Sequence, residues 1–148
     1  MNKIEMIEYQ KILDKNMLNV FKDILKNIRD NGLSNNNHLY ITFLTNHKNV
    51  ELPNWLKQKY PEEMTIIIQY EYYELEINKN NFSISLSFND IKTNLKIDYK
   101  SIVSFADPSA NFGLILKKNK FQKKVNKKLE KNKSNKDNVI NFSNFKKN

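Results

Sequence analysis

At Lys117 the chain changes character, and only what precedes it can build a core. Residues 1–116 carry thirteen basic and fourteen acidic side chains, a net charge of −1. Residues 117–148 carry twelve Lys against Glu130 and Asp137, a net charge of +10. The overall +9 describes neither part. The first stretch is long enough for one domain that buries roughly two-thirds of its unfolded surface. The second is almost all Lys, Asn, Gln and Ser as far as Asn138, with Phe121, Val125 and Leu129 as sparse exceptions. Such a segment cannot offset its own ordering entropy and reads as a disordered linker. The final residues regain hydrophobicity through Val139, Ile140, Phe142 and Phe145. Apolar side chains at the end of a solvated tether have the pattern of a short docking peptide. The expected organisation is a folded domain over 1–116, a Lys/Asn-rich linker over 117–137 and a docking segment over 138–148.

Within the first stretch, apolar residues from Ile4 to about Asp30 follow a helical period. Met17, Leu18, Val20, Phe21, Ile24, Leu25 and Ile28 recur at i, i+3, i+4 and i+7. Gly32 supplies the left-handed stop. A second apolar set, Ile4, Met6, Ile7, Ile12 and Leu13, extends the stripe toward the N-terminus. One sheet face does not need so much apolar surface. Packing onto the sheet is one role for the stripe, and a homodimer seam is the other.

Strand patterns follow. Leu39–Thr45 reads as a strand, and Pro53–Tyr60 as a short helical turn closed by Pro61. Met64–Ile77 is too long for one average strand and should break near Tyr72. Phe82, Ile84, Leu86 and Phe88 alternate with Ser83, Ser85 and Ser87, the cleanest strand pattern in the chain. Asn89-Asp90 is a tight turn before a strand over Ile91–Tyr99. Ser101–Phe105 leads into the Asp107-Pro108-Ser109 turn, and Phe112–Leu116 supplies the last strand. One helix and about five sequential strands predict an α+β domain with a meandering antiparallel sheet. Strongly twisted strands of this number curl into a small open β-barrel that limits exposed edges.

The inventory for chemistry is thin. No Cys is present, which excludes a disulfide framework, a thiolate nucleophile and a zinc-thiolate site. His38 and His47 lie in or beside loops, without the three ligands a metal site wants. Gly32 and Gly113 are the only glycines, so no phosphate-cradling loop exists. The serines lack a nucleophile-elbow context. No enzyme is read here, and no cofactor. No apolar run approaches a membrane span or a signal peptide, so a cytoplasmic protein is expected.

Two binding classes remain. A Lys-rich tail on a small barrel could hold phosphates in a salt-sensitive way, as an RNA-binding protein would. Against this, the body is neutral, Arg29 is the only arginine, and Tyr70, Tyr72 and Tyr73 are interleaved with Glu. The Ser83/Ser85/Ser87 face points elsewhere, because small side chains let another backbone approach closely. With Ile66, Ile68 and Tyr70 as apolar walls and Gln69 as an amide for peptide backbone, a groove for an extended peptide follows. The same pattern also suits the solvent face of an ordinary antiparallel sheet.

Several runs carry a resemblance that covers most of residues 5–116 in unbroken order. They are Tyr40-Ile-Thr-Phe-Leu-Thr45, Val50-Glu-Leu-Pro53, Tyr60-Pro-Glu-Glu-Met-Thr-Ile-Ile-Ile-Gln69, Phe82-Ser-Ile-Ser-Leu-Ser-Phe-Asn89, Ser104-Phe-Ala-Asp-Pro-Ser109 and Asn111-Phe-Gly-Leu114. Together they resemble the SspB (stringent starvation protein B) family in its alphaproteobacterial form. Tyr72-Tyr73 and Asn89-Asp90 depart from the residues usual there.

The resemblance implies an Sm-like barrel, an N-terminal helix that forms homodimers, and a groove for the ssrA degron. The protein would be an adaptor delivering ssrA-tagged substrates to the ClpXP protease. Val139-Ile-Asn-Phe-Ser-Asn-Phe-Lys-Lys147 is similar to the family's tail motif, which docks on the N-terminal zinc-binding domain of ClpX. Val139, Ile140, Phe142, Phe145, Lys146 and Lys147 would make that contact. By resemblance and strand facing, the groove residues are Met64, Ile66, Ile68, Gln69, Ser85, Leu86, Phe88 and Ala106. Met17, Phe21, Ile24 and Leu25 are the expected dimer residues. An Sm-like RNA-binding protein using the basic tail is the alternative.

Overall fold

The computed structural model of the protein describes residues 6–34 and 36–116. The linker over 117–137 and the docking residues Val139, Ile140, Phe142, Phe145, Lys146 and Lys147 lie outside them. Helix α1 spans Tyr9–Asn31, so it starts five residues later than the apolar pattern of Ile4 predicts. Gly32 ends it at φ +77 and ψ 178, with its N–H donating to the Ile28 carbonyl at 2.8 Å. Positive φ favours glycine as expected, but the extended ψ sends the chain outward instead of into a left-handed turn.

Among the described residues, seven strands form two antiparallel sheets. β1 (Leu39–Leu44), β2 (Glu63–Ile68), β6 (Ile102–Asp107) and β7 (Phe112–Ile115) make the larger one, in the order β2-β1-β6-β7. β3 (Tyr73–Ile77), β4 (Asn81–Phe88) and β5 (Ile91–Asp98) make the smaller one, in that order. The short helix α2 (Asn54–Lys59) joins β1 to β2. Two expectations are corrected here. The sheets do not close into a barrel, and the larger one is not a meander. The break expected near Tyr72 falls between Ile68 and Tyr73, and no ladder pairs β2 with β3. Among the described residues, only the isolated bridge Glu51↔Lys96 lies beside the outer edge of β5. The meander fails at a 3-10 turn, Tyr99–Ser101, which carries the chain from β5 into the other sheet. There the Asp98 carboxylate accepts the Lys100 N–H at 2.7 Å, and the Ser101 hydroxyl donates to the Asp98 carbonyl at 2.6 Å.

The β4–β5 hairpin is the most regular part. Eight residue pairs run without a register shift from Asn81↔Asp98 to Phe88↔Ile91. Its two-residue turn holds Asn89 at φ 51 and Asp90 at φ 64, the twist a tight hairpin needs and one these residue types tolerate. The core lies between the sheets and α1. Phe21 sits where they meet, with ring centroids 5.8 Å from Phe82 on β4 and 5.5 Å from Phe105 on β6.

Candidate functional site

Strand parity decides which side chains a ligand can reach. In β2, Met64, Ile66 and Ile68 face the core, while Thr65 and Ile67 face out. Ala106 stands opposite Tyr40 in register, and Tyr40 stands opposite Ile67, so Ala106 belongs to the outer face. Leu86 is also in the core. Gln69, just beyond β2, is half-buried, as are Phe88 and Ala106. The eight expected groove residues are thus not all brought to one surface. Four are core, Ala106 looks out from the far side of the larger sheet, and Gln69 and Phe88 keep open surface.

Ser85 is the eighth. It is buried, and Tyr73 of β3 lies opposite it. Its hydroxyl donates to Glu74 Oε2 at 3.1 Å and accepts from Asn94 Nδ2 at 3.0 Å. Lys92 Nζ closes the knot on Glu74 Oε1 at 2.8 Å and lies 4.7 Å from the centre of the Tyr73 ring. The Lys92 hydrogen bond, then that of Ser85, holds the Glu74 carboxyl below its ordinary range. Glu74 takes φ +55 where the β3–β4 register shifts, a conformation this knot helps to hold. The backbone that approaches the small serine is therefore β3 of the protein itself.

Besides the exposed Ile67, Tyr70, Tyr73 and Phe112, two groups of open apolar side chains stand out. The first is a lip at the end of the β4–β5 hairpin. Trp55 of α2 is 40% exposed and meets Phe88 edge-on, with ring centroids 6.4 Å apart. Ile91, opposite Phe88 in register, is 57% exposed. Trp55 was not among the expected site residues. The available signal is that Trp55 and Leu56 are neighbours about 100° apart on a single short turn, which leaves one of them at the margin of the buried face. Leu56 takes the inward position and is buried.

The second place is the N-terminal half of α1. Tyr9, Ile12 and Leu13 are exposed on the helix, Met6 and Ile7 just before it, and Val20 further along. Met6, Glu8, Lys11, Ile12 and Lys15 line a shallow pocket there. The expected dimer residues sit differently. Phe21 and Leu25 are fully buried in the core of the single chain, and Met17 and Ile24 are half-buried. No helix among the described residues is long and apolar enough to cross a membrane.

The family model described as SspB, stringent starvation protein B, matches residues 11–147. The chain belongs to the SspB family. Among curated proteins none matches it. SspB membership implies an adaptor for ssrA-tagged substrates of the ClpXP protease, and SspB adaptors are non-enzymatic. That role asks of the geometry above a surface for an extended peptide, not a catalytic cleft. The lip at Trp55, Phe88 and Ile91 has that chemistry, and the half-exposed helix α1 offers a second, separate contact.

Proposed function

We propose that the protein is a cytoplasmic homodimeric adaptor of the alphaproteobacterial SspB type, which binds ssrA-tagged proteins and presents them to ClpXP. The observation that carries this reading is the extent of the family match. It runs through the Lys-rich segment to Lys147, which supports reading body and tail as one functional unit. In this reading the domain over 1–116 holds the degron, residues 117–137 act as a tether, and residues 138–148 dock on the N-terminal zinc-binding domain of ClpX. Val139, Ile140, Phe142, Phe145, Lys146 and Lys147 supply the docking contacts. A linker of about 20 residues has an r.m.s. span near 25 Å. It holds the cargo near ClpX at an effective concentration of order mM, so two weak contacts become one delivery.

For the peptide site we propose the surface bounded by Gln69 and Phe88, with Met64, Ile66, Ile68 and Leu86 as the packed layer behind it. Ser85, bonded to Glu74 on the opposite face of β4, belongs to the set by family resemblance. Ala106 belongs to the set by family resemblance. For the dimer, the exposed face of α1 around Tyr9, Ile12, Leu13 and Val20 supports a seam between two copies, flanked by Met17 and Ile24. The testing experiment is fluorescence anisotropy with two labelled ligands, an ssrA-tag peptide and a single-stranded RNA. Saturable binding of the peptide and no salt-sensitive RNA affinity are expected. Tight RNA binding that collapses with salt, without peptide binding, overturns the adaptor reading in favour of an RNA-binding module.

A further inference from the structure

The core face of the β4–β5 hairpin runs past the edge of the body. Phe82, Ile84 and Leu86 on β4 are buried, as are Leu95 and Ile97 on β5. At the turn, Phe88 keeps open surface and Ile91 is exposed, with Trp55 of α2 beside them. Asp90, exposed in the same turn, sets a negative charge next to Ile91. The chain itself holds a segment of matching chemistry, since Val139, Ile140, Phe142 and Phe145 are followed directly by Lys146 and Lys147. The topology sets the distance between the two. Leu116 is the last described residue, and its N–H donates to the Val103 carbonyl at 2.7 Å. Val103 lies at the start of β6, just past the Tyr99–Ser101 turn that follows Asp98, the far end of β5. Seven strand rises separate Asp98 from Ile91, so with the step between sheets the chain leaves the body about 25–30 Å from the lip. Residues 117–138 bridge that gap, and a coil of their length has an r.m.s. span of about 23–28 Å. A tether whose span matches the gap gives the highest effective concentration, of order mM.

From this we infer that the apolar end of the tail, Val139–Phe145, docks on the Trp55–Phe88–Ile91 lip of its own body, with Lys146 and Lys147 beside Asp90. The ring of Phe142 or Phe145 takes the open faces of Trp55 and Ile91 out of water, and the lysines that follow meet the one negative charge of the hairpin turn. A contact of order mM strength, at an effective concentration of the same order, is formed in about half of the molecules. It covers the tail's hydrophobes when no partner is present and yields to any partner that binds them more tightly. The lip shares Phe88 with the peptide surface, and a half-formed contact shifts peptide affinity by no more than about twofold. The inference goes beyond the adaptor reading, since the contact needs neither ssrA-tag peptide nor ClpX. Within that reading it is a latch on the docking residues, which ClpX opens as it takes the tail.

The chain has no Cys and a single Trp, which makes the test direct. A nitroxide attached through Asn148→Cys in the full-length protein is the only spin label, and paramagnetic broadening is read by NMR at the Trp55 indole N–H and the Ile91 amide. Both signals should broaden with the label oxidised and recover when it is reduced. Phe142→Ser combined with Phe145→Ser should remove at least about half of that broadening, because the tether alone then brings the label near. These changes lie outside the folded body, so the core is untouched. Ile91→Ser, at an exposed position, should reduce the broadening at the Trp55 indole to the same extent. Phe121→Ser, in the linker, should leave it unchanged. Absence of broadening at the lip, or broadening that survives loss of both phenylalanines, overturns the inference and leaves the adaptor reading standing. Mixing spin-labelled chains with isotope-labelled chains that carry no nitroxide supplies the last arm. Equal broadening in that mixture assigns the tail to the lip of a second copy and also overturns the inference.

Discussion

The ring of Phe21 on α1 lies edge-on to that of Phe105 on β6, with centroids 5.5 Å apart. The same ring meets Phe82 of the other sheet at 5.8 Å, so one helix residue ties both sheets together. Phe21→Ala leaves a cavity at this junction and should cost about 3–5 kcal/mol of stability. A urea melt followed by circular dichroism reads the loss. Phe21→Asp should abolish folding instead of yielding folded monomers, because the side chain is fully buried within its own protomer.

Helix α1 places the dimer prediction elsewhere. Ile12 is 54% exposed and Leu13 is exposed beside it. Ile12→Asp combined with Leu13→Asp should change stability by only about 1 kcal/mol, since neither position is core. Sedimentation equilibrium should show the native protein as a dimer and the variant as a folded monomer. A double variant that remains dimeric removes this face of α1 from the seam.

What was legible in the sequence was what local physics alone decides. The helix, the strand over Phe82–Phe88, the Asn89-Asp90 turn and the interruption after Ile68 all follow from period, turn chemistry and length. What was not legible depends on which strand neighbours which. β6 lies beside β1, with a register shift between Thr42 and Phe43, and that pairing puts Ala106 on the outer face opposite Tyr40. Nothing in the run Ser104-Phe-Ala-Asp-Pro-Ser109 announces it. Ser85 shows the same gap. Its period places it correctly opposite the core face, yet β3 brings Glu74 over it, a contact fixed by a bulge eleven residues upstream. The helical stripe is a case of two roles on one element. Its C-terminal half packs inward and its N-terminal half stays open, and periodicity alone does not say where one gives way to the other.

Asp107 should make the fold acid-sensitive. Burial raises its pKa, but hydrogen bonds from Ser109, Asn37 and the Ala110 and Ser109 amides outweigh that and leave it below the ordinary carboxylate range. Asn37 Nδ2 reaches it at 2.7 Å and the Ser109 N–H at 3.0 Å, which ties the loop before β1 to the end of β6. A folded-state pKa below the unfolded value gives stability that is present above the unfolded value and lost as pH falls through the folded one. Urea melts from pH 5 down to pH 2 should therefore show a loss in the native protein that is smaller in Asp107→Asn. The variant should itself be about 1–3 kcal/mol less stable at pH 7, through the weakened charge-assisted bonds. Equal pH dependence in both proteins would assign the acid loss to other carboxylates.

Deleting residues 138–148 should separate cargo binding from delivery. In the adaptor reading the peptide surface lies within residues 1–116, so removal of the last eleven residues should leave it in place. Anisotropy with a labelled ssrA-tag peptide should give the same Kd within about twofold. Degradation of an ssrA-tagged protein by ClpXP should fall to the adaptor-free rate when substrate is far below its own KM. The gain from tethering exists only while both contacts are made, and it vanishes with either one. Raising substrate to saturation should erase the difference between native and truncated adaptor, since a local concentration of order mM then adds little. A truncated protein that loses peptide binding as well would place residues 138–148 in the peptide site and remove the division between body and tail.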